Sequence, residues 1–449
     1  MASNKAFIER QRTFCALGGA VLTATALPGV VPILHTSMGC GGSIFFNQIG
    51  STGYLGAGYC GGMAVPSSNV GENDIVFGGD RRLREQVENT IKLVDGELYV
   101  ILTGCMTDII GDDIHAVVRD HQADGVQIFG AETGGFNGGG YKGYDLLLQS
   151  LFRGFVVRKP EKIRHKVNLW GIVPGQDAFW RGNLKYLREL LEKLGLNVST
   201  FVENHSKLDD LKQAGDAELN IVVSKYYGIE AAETFEDVHQ TPYLSVQLPI
   251  GPTATAEFLR TVGNALNISS ENIENVIADE AKEYFAYIDR LADAYNDVDM
   301  QRYAVVVGDT NYAPALTRFL ADDLGWLPEL TVVTDDIGED EHEPIDSYLS
   351  KLSSGFKTNI VYETDASEIA GHLTRIRPPY KGERYYNTFY PAFVVGSHLE
   401  RELAKSIKAG YLTVTYPVGD RVVLSRGYAG YKGSLSLIED LFGVLVAER

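Results

Sequence analysis

The chain has 449 residues, 45% of them apolar and 22% charged, with a formal net charge of −19. Such a length exceeds one hydrophobic core and suggests about two to four domains. The apolar content excludes a disordered chain, and the negative balance excludes a protein built to grip the phosphate backbone of nucleic acid. An acidic surface favours solubility and docking with a partner of complementary charge.

The N-terminus reads at first like a secretory signal. Lys5, Arg10 and Arg12 precede FCALGGAVLTATALPGV, and Ala24-Thr25-Ala26 imitates a cleavage site. The apolar character continues into VVPILH, however, as expected of a buried first layer. No segment reaches the roughly 18 uninterrupted apolar residues of a membrane helix, so no membrane association is expected.

Short β-branched runs then alternate with longer amphipathic stretches, the pattern of parallel sheets with crossover helices. The first strands are VVPILH (30–35), LYVILTG (98–104) and GVQIFGAE (125–132). A second set is KVNLWGIVPG (166–175), NVSTFV (197–202), NIVVSK (220–225) and YLSVQLPIG (243–251). A third is YAVVVGD (303–309), LTVVTDD (330–336), TNIVYET (358–364), AFVVGSH (392–398) and YLTVTYPVG (411–419). Between them GNLKYLRELLEKLGL and APALTRFLADDLGW carry leucines at helical spacing and stop at glycine. The expected fold is α/β, with three Rossmann-like units bounded at 1–160, 161–298 and 299–449, and a helical bridge around AKEYFAYIDRLADAYNDVDMQRYAV. The acidic run DDIGEDEHEPID (335–346) reads as a solvated loop.

Motifs for common cofactors are weak. GGGYKG matches GxGxxG through Gly138, Gly140 and Gly143, but it lies well beyond the strand it should follow directly. A Gly-rich loop at an interface is the better reading, and a lone nucleotide-dependent enzyme is disfavoured. No lysine-bearing phosphate loop is present, so the chain is not expected to hydrolyse ATP. His35, His115, His121, His205, His239, His342, His372 and His398 show no metal-ligand spacing and read as structural or exposed.

The four cysteines, in contrast, all lie in the first unit: Cys15, Cys40, Cys60 and Cys105. They make no disulfide framework and suit a reducing cytoplasm. Cys15, Cys40 and Cys105 each sit at a turn that opens an apolar or helical segment. In a parallel sheet such turns gather beyond the carboxyl ends of the strands, where helix N-termini stabilise thiolates. Three thiolates on one edge can bind an Fe–S cluster, but a cubane or larger cluster needs four or more ligands, and a second subunit is the simplest source of the rest. The alternative is three separate buried thiols.

These residues also resemble a known family. Cys15, HTSMGC (35–40), SSNVGENDIVFGGDRRLREQV (67–87) and TGCMTDIIGDDIHAVV (103–118) together resemble component 1 of nitrogenase and its relatives. TGGFNGGGYKGYDLLLQSLF and the C-terminal YPVGDRVVLSRGYAGYKGSLSLIEDLF resemble its β chains. The resemblance implies nitrogenase component 1 architecture and an Fe–S cluster at the interface with a homologous α-like subunit. Cys15, Cys40 and Cys105 match the family's three cysteine positions, and Cys60 has no counterpart and reads as structural. The cluster is expected to be an 8Fe–7S, P-cluster-like centre, with 4Fe–4S as the alternative.

The family's catalytic α chain holds its iron–sulfur cofactor with a cysteine and a histidine. The corresponding segments NIVVSKYYG and YPVGDR lack them, and no cysteine follows Cys105. The chain is therefore expected to be a β-like electron relay without catalytic residues of its own. It would work in a heterotetramer of two α-like and two β-like subunits, fed by an ATP-dependent iron protein. Its substrate would be dinitrogen or another small molecule such as a methylthio-alkane. The alternative is a non-catalytic scaffold for cofactor assembly. One departure concerns the β-chain serine that ligates the oxidised P-cluster: TGGFNGG places Gly135 there.

Overall fold

The computed structural model describes residues 7–12, 14–48, 65–203, 205–297, 300–378 and 389–447. Among them, twelve strands form three sheets, parallel throughout. Each of the twelve runs picked out by β-branched content overlaps one of these strands, and four strands begin one to three residues before their runs. The chain folds as two compact units: residues 13–245 hold the first two sheets, and residues 246 onward hold the third together with the N-terminal stretch up to residue 12.

The first sheet has the order β1 (Val30–His35), β2 (Leu98–Thr103), β3 (Ile128–Ala131). β2 is buried along its whole length, which is why it reads as an unbroken apolar run. Helix α1 (Ala16–Ala26) precedes β1 and α2 (Met38–Gln48) follows it. α3 (Glu72–Phe77) and α4 (Asp80–Leu93) lead to β2, and α5 (Cys105–Ile110) and α6 (Ile114–Ala123) lead to β3. Ile33 and Ile101 pack against Leu83 and Val87 of α4 and Val117 of α6 on one face. On the other face Leu98, Val100 and Leu102 join Leu17, Val21 and Ala24 of α1 in a larger core.

α7 (Gly140–Gly154) carries that core on to the second sheet. This sheet has the order β5-β4-β6-β7, from β4 (Ile163–Trp170), β5 (Asn197–Ser199), β6 (Ala217–Val222) and β7 (Tyr243–Ser245). Its crossovers are α8 (Trp180–Lys193), α9 (Leu208–Lys212) and α10 (Ile229–His239). In the other unit, α11 (Pro252–Ala265) and α12 (Ser270–Asp297) precede the third sheet, and α12 is the helical segment expected between units. Its order is β10-β9-β8-β11-β12, from β8 (Tyr303–Gly308), β9 (Leu327–Val333), β10 (Asn359–Tyr362), β11 (Ala392–Gly396) and β12 (Gly410–Thr413). The reversal at β8 is that of a doubly wound sheet. α13 (Tyr312–Arg318), α14 (Glu343–Leu349), α15 (Ile369–Ile376), α16 (Arg401–Ser406) and α17 (Gly430–Ala447) complete it. No helix among the described residues is long and apolar enough to cross a membrane.

One local expectation holds, that of a buried first layer, and two change. The signal-like stretch is α1, and Ala16 to Ala24 are all buried. A helix apolar on every side belongs inside a core. GGGYKG is not a loop: Gly139 caps α7, and Gly140 and Gly143 lie on its first turn. A Cβ at residue 143 would stand 1.7 Å from the Ala16 carbonyl oxygen, and one at Gly19 would stand 1.8 Å from that of Gly140. These glycines let α1 and α7 touch backbone to backbone. The acidic run, lastly, is solvated only in part. Asp335 is buried at the end of β9 and accepts the Thr310 N–H at 2.9 Å, and Ile345 is a core residue of α14.

Two measurements check this packing. Gly143→Ala should lower the unfolding midpoint by the equivalent of about 1–3 kcal/mol, because backbone must move to admit the methyl group. Gly443→Ala, in α17 with open space around its Cβ position, should be neutral or slightly stabilising. The second concerns Asp145 of α7, whose carboxylate accepts the Gly228 and Ala231 N–H groups of α10 at 2.8 and 3.0 Å. Burial pushes its pKa up to about 7 against the pull of those two bonds. The folded state thus keeps a proton that the unfolded chain loses from about pH 4 upward, and the stability it contributes falls as pH rises to about 7. In urea titrations at pH 5 and pH 7.5, Asp145→Asn should show less loss of midpoint between the two than the parent chain. Equal losses would refute the assignment.

Candidate metal centre

The carboxyl ends of β1, β2 and β3 define one edge, since His35 pairs with Thr103 and Leu102 with Ala131 in register. Each strand delivers a turn there. The turn after β2 places Cys105 at the first position of α5, with Gly104 as its cap. Gly104 is required: a Cβ would stand 2.0 Å from Thr36 Oγ1. The turn after β1 places Cys40 two residues into α2, partly buried against the core, with its Sγ 3.8 Å from Ser37 Oγ. The turn after β3 runs through Gly134 into a short 3-10 turn at Gly135–Asn137.

Cys15 reaches this edge from α1. It caps that helix in extended conformation, forms an antiparallel bridge with Gly139, and is exposed. The seating of α1 on α7 therefore places its thiol beside the third turn. A Cβ built on Gly135 would lie 3.7 Å from Cys15 Sγ and 3.2 Å from Cys105 Sγ, so both thiols converge on this glycine. The Gly135 N–H also donates to Cys105 Sγ at 3.0 Å. Asp108 holds the same turn by accepting the Gly134 N–H at 2.9 Å. Gly135 is not among the positive-φ residues, so a side chain there meets crowding rather than backbone strain.

All three of these cysteines are free thiols, and Cys60 lies outside the described residues. Among the described residues, no group of three or more His, Cys, Asp or Glu side chains is arranged to hold a metal ion. The edge is rimmed with apolar side chains in water: Met38 of α2, Val76 and Phe77 of α3, Ile109 of α5 and Phe136 are all exposed, Phe77 by 84%. Single exposed apolar residues are common on any protein; five on the helices and turn at one sheet edge mark a surface suited to contact.

The histidines divide. His115 and His205 are exposed, and His342 stacks on Tyr362. His239 is buried, with Nε2 2.7 Å from the Phe152 carbonyl oxygen. His35 is more than a core residue. It ends β1 fully buried, with Nδ1 3.0 Å from Ser68 Oγ and Nε2 2.9 Å from Asp112 Oδ2. Burial lowers its pKa against the opposing pull of Asp112. Ser68 and Asp112 belong to the segments SSNVGEND and IIGDDI, so the signal lay in the sequence, but nothing there joins them to His35. In the second sheet, the segment NIVVSKYYG closes on itself: Ser224 Oγ accepts the Tyr226 and Tyr227 N–H groups at 3.0 and 2.8 Å.

Known proteins resemble this chain in sequence and fold. A family model for nitrogenase component 1 type oxidoreductases matches residues 15–445. The chain is 22% identical to the nitrogenase molybdenum-iron protein beta chain of Azotobacter vinelandii, over 95% of this chain and 82% of that one. It is 22% identical to the beta chain of the same name from Clostridium pasteurianum, over 96% of this chain and 92% of that one. The solved structure of nitrogenase Cp1 at pH 6.5 shares the fold, with a TM-score of 0.81 at 19% identity, covering 100% of this chain and 95% of that chain. From Cys15 to its last helix, the chain belongs to the nitrogenase component 1 family of oxidoreductases and resembles its β chains.

Proposed function

We propose that the chain is the electron-relay, β-like subunit of a nitrogenase-type two-component reductase. Cys15, Cys40 and Cys105 supply half the ligands of an Fe–S cluster, and a homologous α-like subunit supplies the others. One observation carries this reading: two thiols converge on Gly135 at an edge rimmed with exposed apolar side chains. The donor set suits the group, since thiolates are the usual ligands of Fe–S clusters. Three from each chain suit an 8Fe–7S, P-cluster-like centre, and fewer from the partner suit 4Fe–4S. When bound, such a cluster stores and passes single electrons.

This chain's residues orient, shield and tune. The Gly135 N–H, donated to Cys105 Sγ, stabilises negative charge on sulfur and so favours the reduced state of a bound centre. Met38, Phe77, Ile109 and Phe136 exclude water once a partner covers the edge. An ATP-dependent iron protein supplies electrons, and the α-like partner of the heterotetramer holds the cofactor that reduces dinitrogen or another small molecule, such as a methylthio-alkane.

The test is anoxic purification of the chain with its partner, with iron analysis and turnover assays. Cys15→Ala, Cys40→Ala and Cys105→Ala should each lower the iron content, and Cys60→Ala should not. Turnover should require the partner, the iron protein and ATP together. Full iron in the Cys40→Ala complex would sink the shared-cluster reading, as would sustained reduction by this chain without its partner. An iron-replete complex that never turns over would instead place the chain among assembly scaffolds.

A separate check uses Gly135, which offers no side-chain oxygen. Gly135→Ser puts a hydroxyl next to both thiols and should alter the oxidised-state spectrum of the complex more than the reduced-state spectrum. Identical spectra of variant and parent in both states would mean that this turn does not face the cluster.

A further inference from the structure

His35 is hydrogen-bonded to the turn that follows β2 and, through Ser68, to the one that follows β1. Its carbonyl accepts the Gly104 N–H at 3.0 Å and the Thr107 hydroxyl at 2.7 Å, which fixes the first turn of α5 on either side of Cys105. Its ring spans to Ser68 and Asp112. Ser68 Oγ also accepts the Thr36 N–H at 3.2 Å, in the segment leading to Cys40. Asp112 Oδ1 accepts the Gly79 N–H at 2.8 Å, just before α4. Residues 66–70 are tied to the same place: Leu34 donates to Pro66, Ser68 to Leu34, and Val70 to Thr36.

The pattern accommodates a neutral imidazole, the form that burial favours. Its Nε2–H then donates to the Asp112 carboxylate, and its Nδ1 accepts the Ser68 hydroxyl proton, which leaves the Ser68 oxygen to accept from Thr36. Within the relay, each donor from the Thr36 N–H through to the Gly79 N–H meets an acceptor. A buried relay of this kind is rigid only when every member is satisfied. The strands themselves do not need it, because the β1–β2 ladder already sets their register. What the relay adds is the pose of the turns beyond them.

We propose that His35 is a positioning residue for the cluster ligands, its ring and carbonyl locking the turns that carry Cys40 and Cys105 into one rigid frame. The proposal rests on the shared-cluster reading above. It extends that reading from the ligands to the hydrogen-bonded residues behind them, whose loss in metal sites typically costs about 10- to 100-fold in affinity or activity.

The experiment uses the anoxically purified complex, with its partner, of the parent chain and of His35→Ala, Asp112→Ala and Asp112→Asn. Release of iron to a bipyridine chelator and the midpoint potential of the centre are measured. His35→Ala and Asp112→Ala should release iron roughly tenfold faster or more and shift the potential. Asp112→Asn keeps the shape and the bond from Gly79, while its amide can donate to Nε2. The imidazole then adopts the other tautomer, with Nδ1–H donating to Ser68, so release rate and potential should stay close to the parent's. If His35→Ala fails to assemble, Ser68→Ala probes the same relay from its other end and should also speed release. A parent complex without iron would refute the cluster reading itself. An iron-bearing parent whose His35→Ala or Ser68→Ala variant matches it in release rate and potential would leave that reading intact and overturn the positioning role. Equal impairment in Asp112→Asn and Asp112→Ala would overturn it too, because charge rather than hydrogen-bond geometry would then be the cause.

Discussion

The contact on which the site depends is the one between α1 and α7, where two helices meet through their backbones. With glycine at 19 and 143 the helices approach more closely than any side chain would permit. The close approach has a directional result. Cys15 caps α1 and bridges to Gly139, which caps α7, so the same contact that closes the core carries one thiol to the turn at Gly135. A looser crossing would still bury Leu17, Val21 and Leu147, but it would leave Cys15 wherever the helix happened to end.

A second constraint comes from parallel topology. Three strands running the same way bring their exit turns to one edge, whatever those turns contain. Cys40 and Cys105, separated by 65 positions in the chain, lie on turns at the same edge because β1 and β2 pair in register from Val30–Leu98 to His35–Thr103. On the proposed reading, metal binding would thus depend on strand direction first and on individual ligands second.

This explains what could be read from the amino acids and what could not. The central strands were legible because fully buried parallel strands such as LYVILT must be continuously apolar and β-branched, a local property. The turn positions of Cys15, Cys40 and Cys105 were legible for the same reason, since each follows or opens a recognisable segment. Partnerships were not legible. GGGYKG carries no mark that its glycines face Ala16 and Gly19 rather than a ligand. Asp335 resembles its acidic neighbours until the Thr310 N–H is found against it. His35, Ser68 and Asp112 stand apart in sequence, and only folding unites them.

The exposure of Cys15 has a consequence for the life of the free chain. A solvent-facing thiol with a second thiol beside the same glycine is open to oxidation. The apolar rim around it favours indiscriminate self-association. Both hazards exist only while the edge is bare, and any surface that caps it removes them together. If the proposed partner covers this edge, the period between synthesis and pairing is when the molecule is chemically most vulnerable.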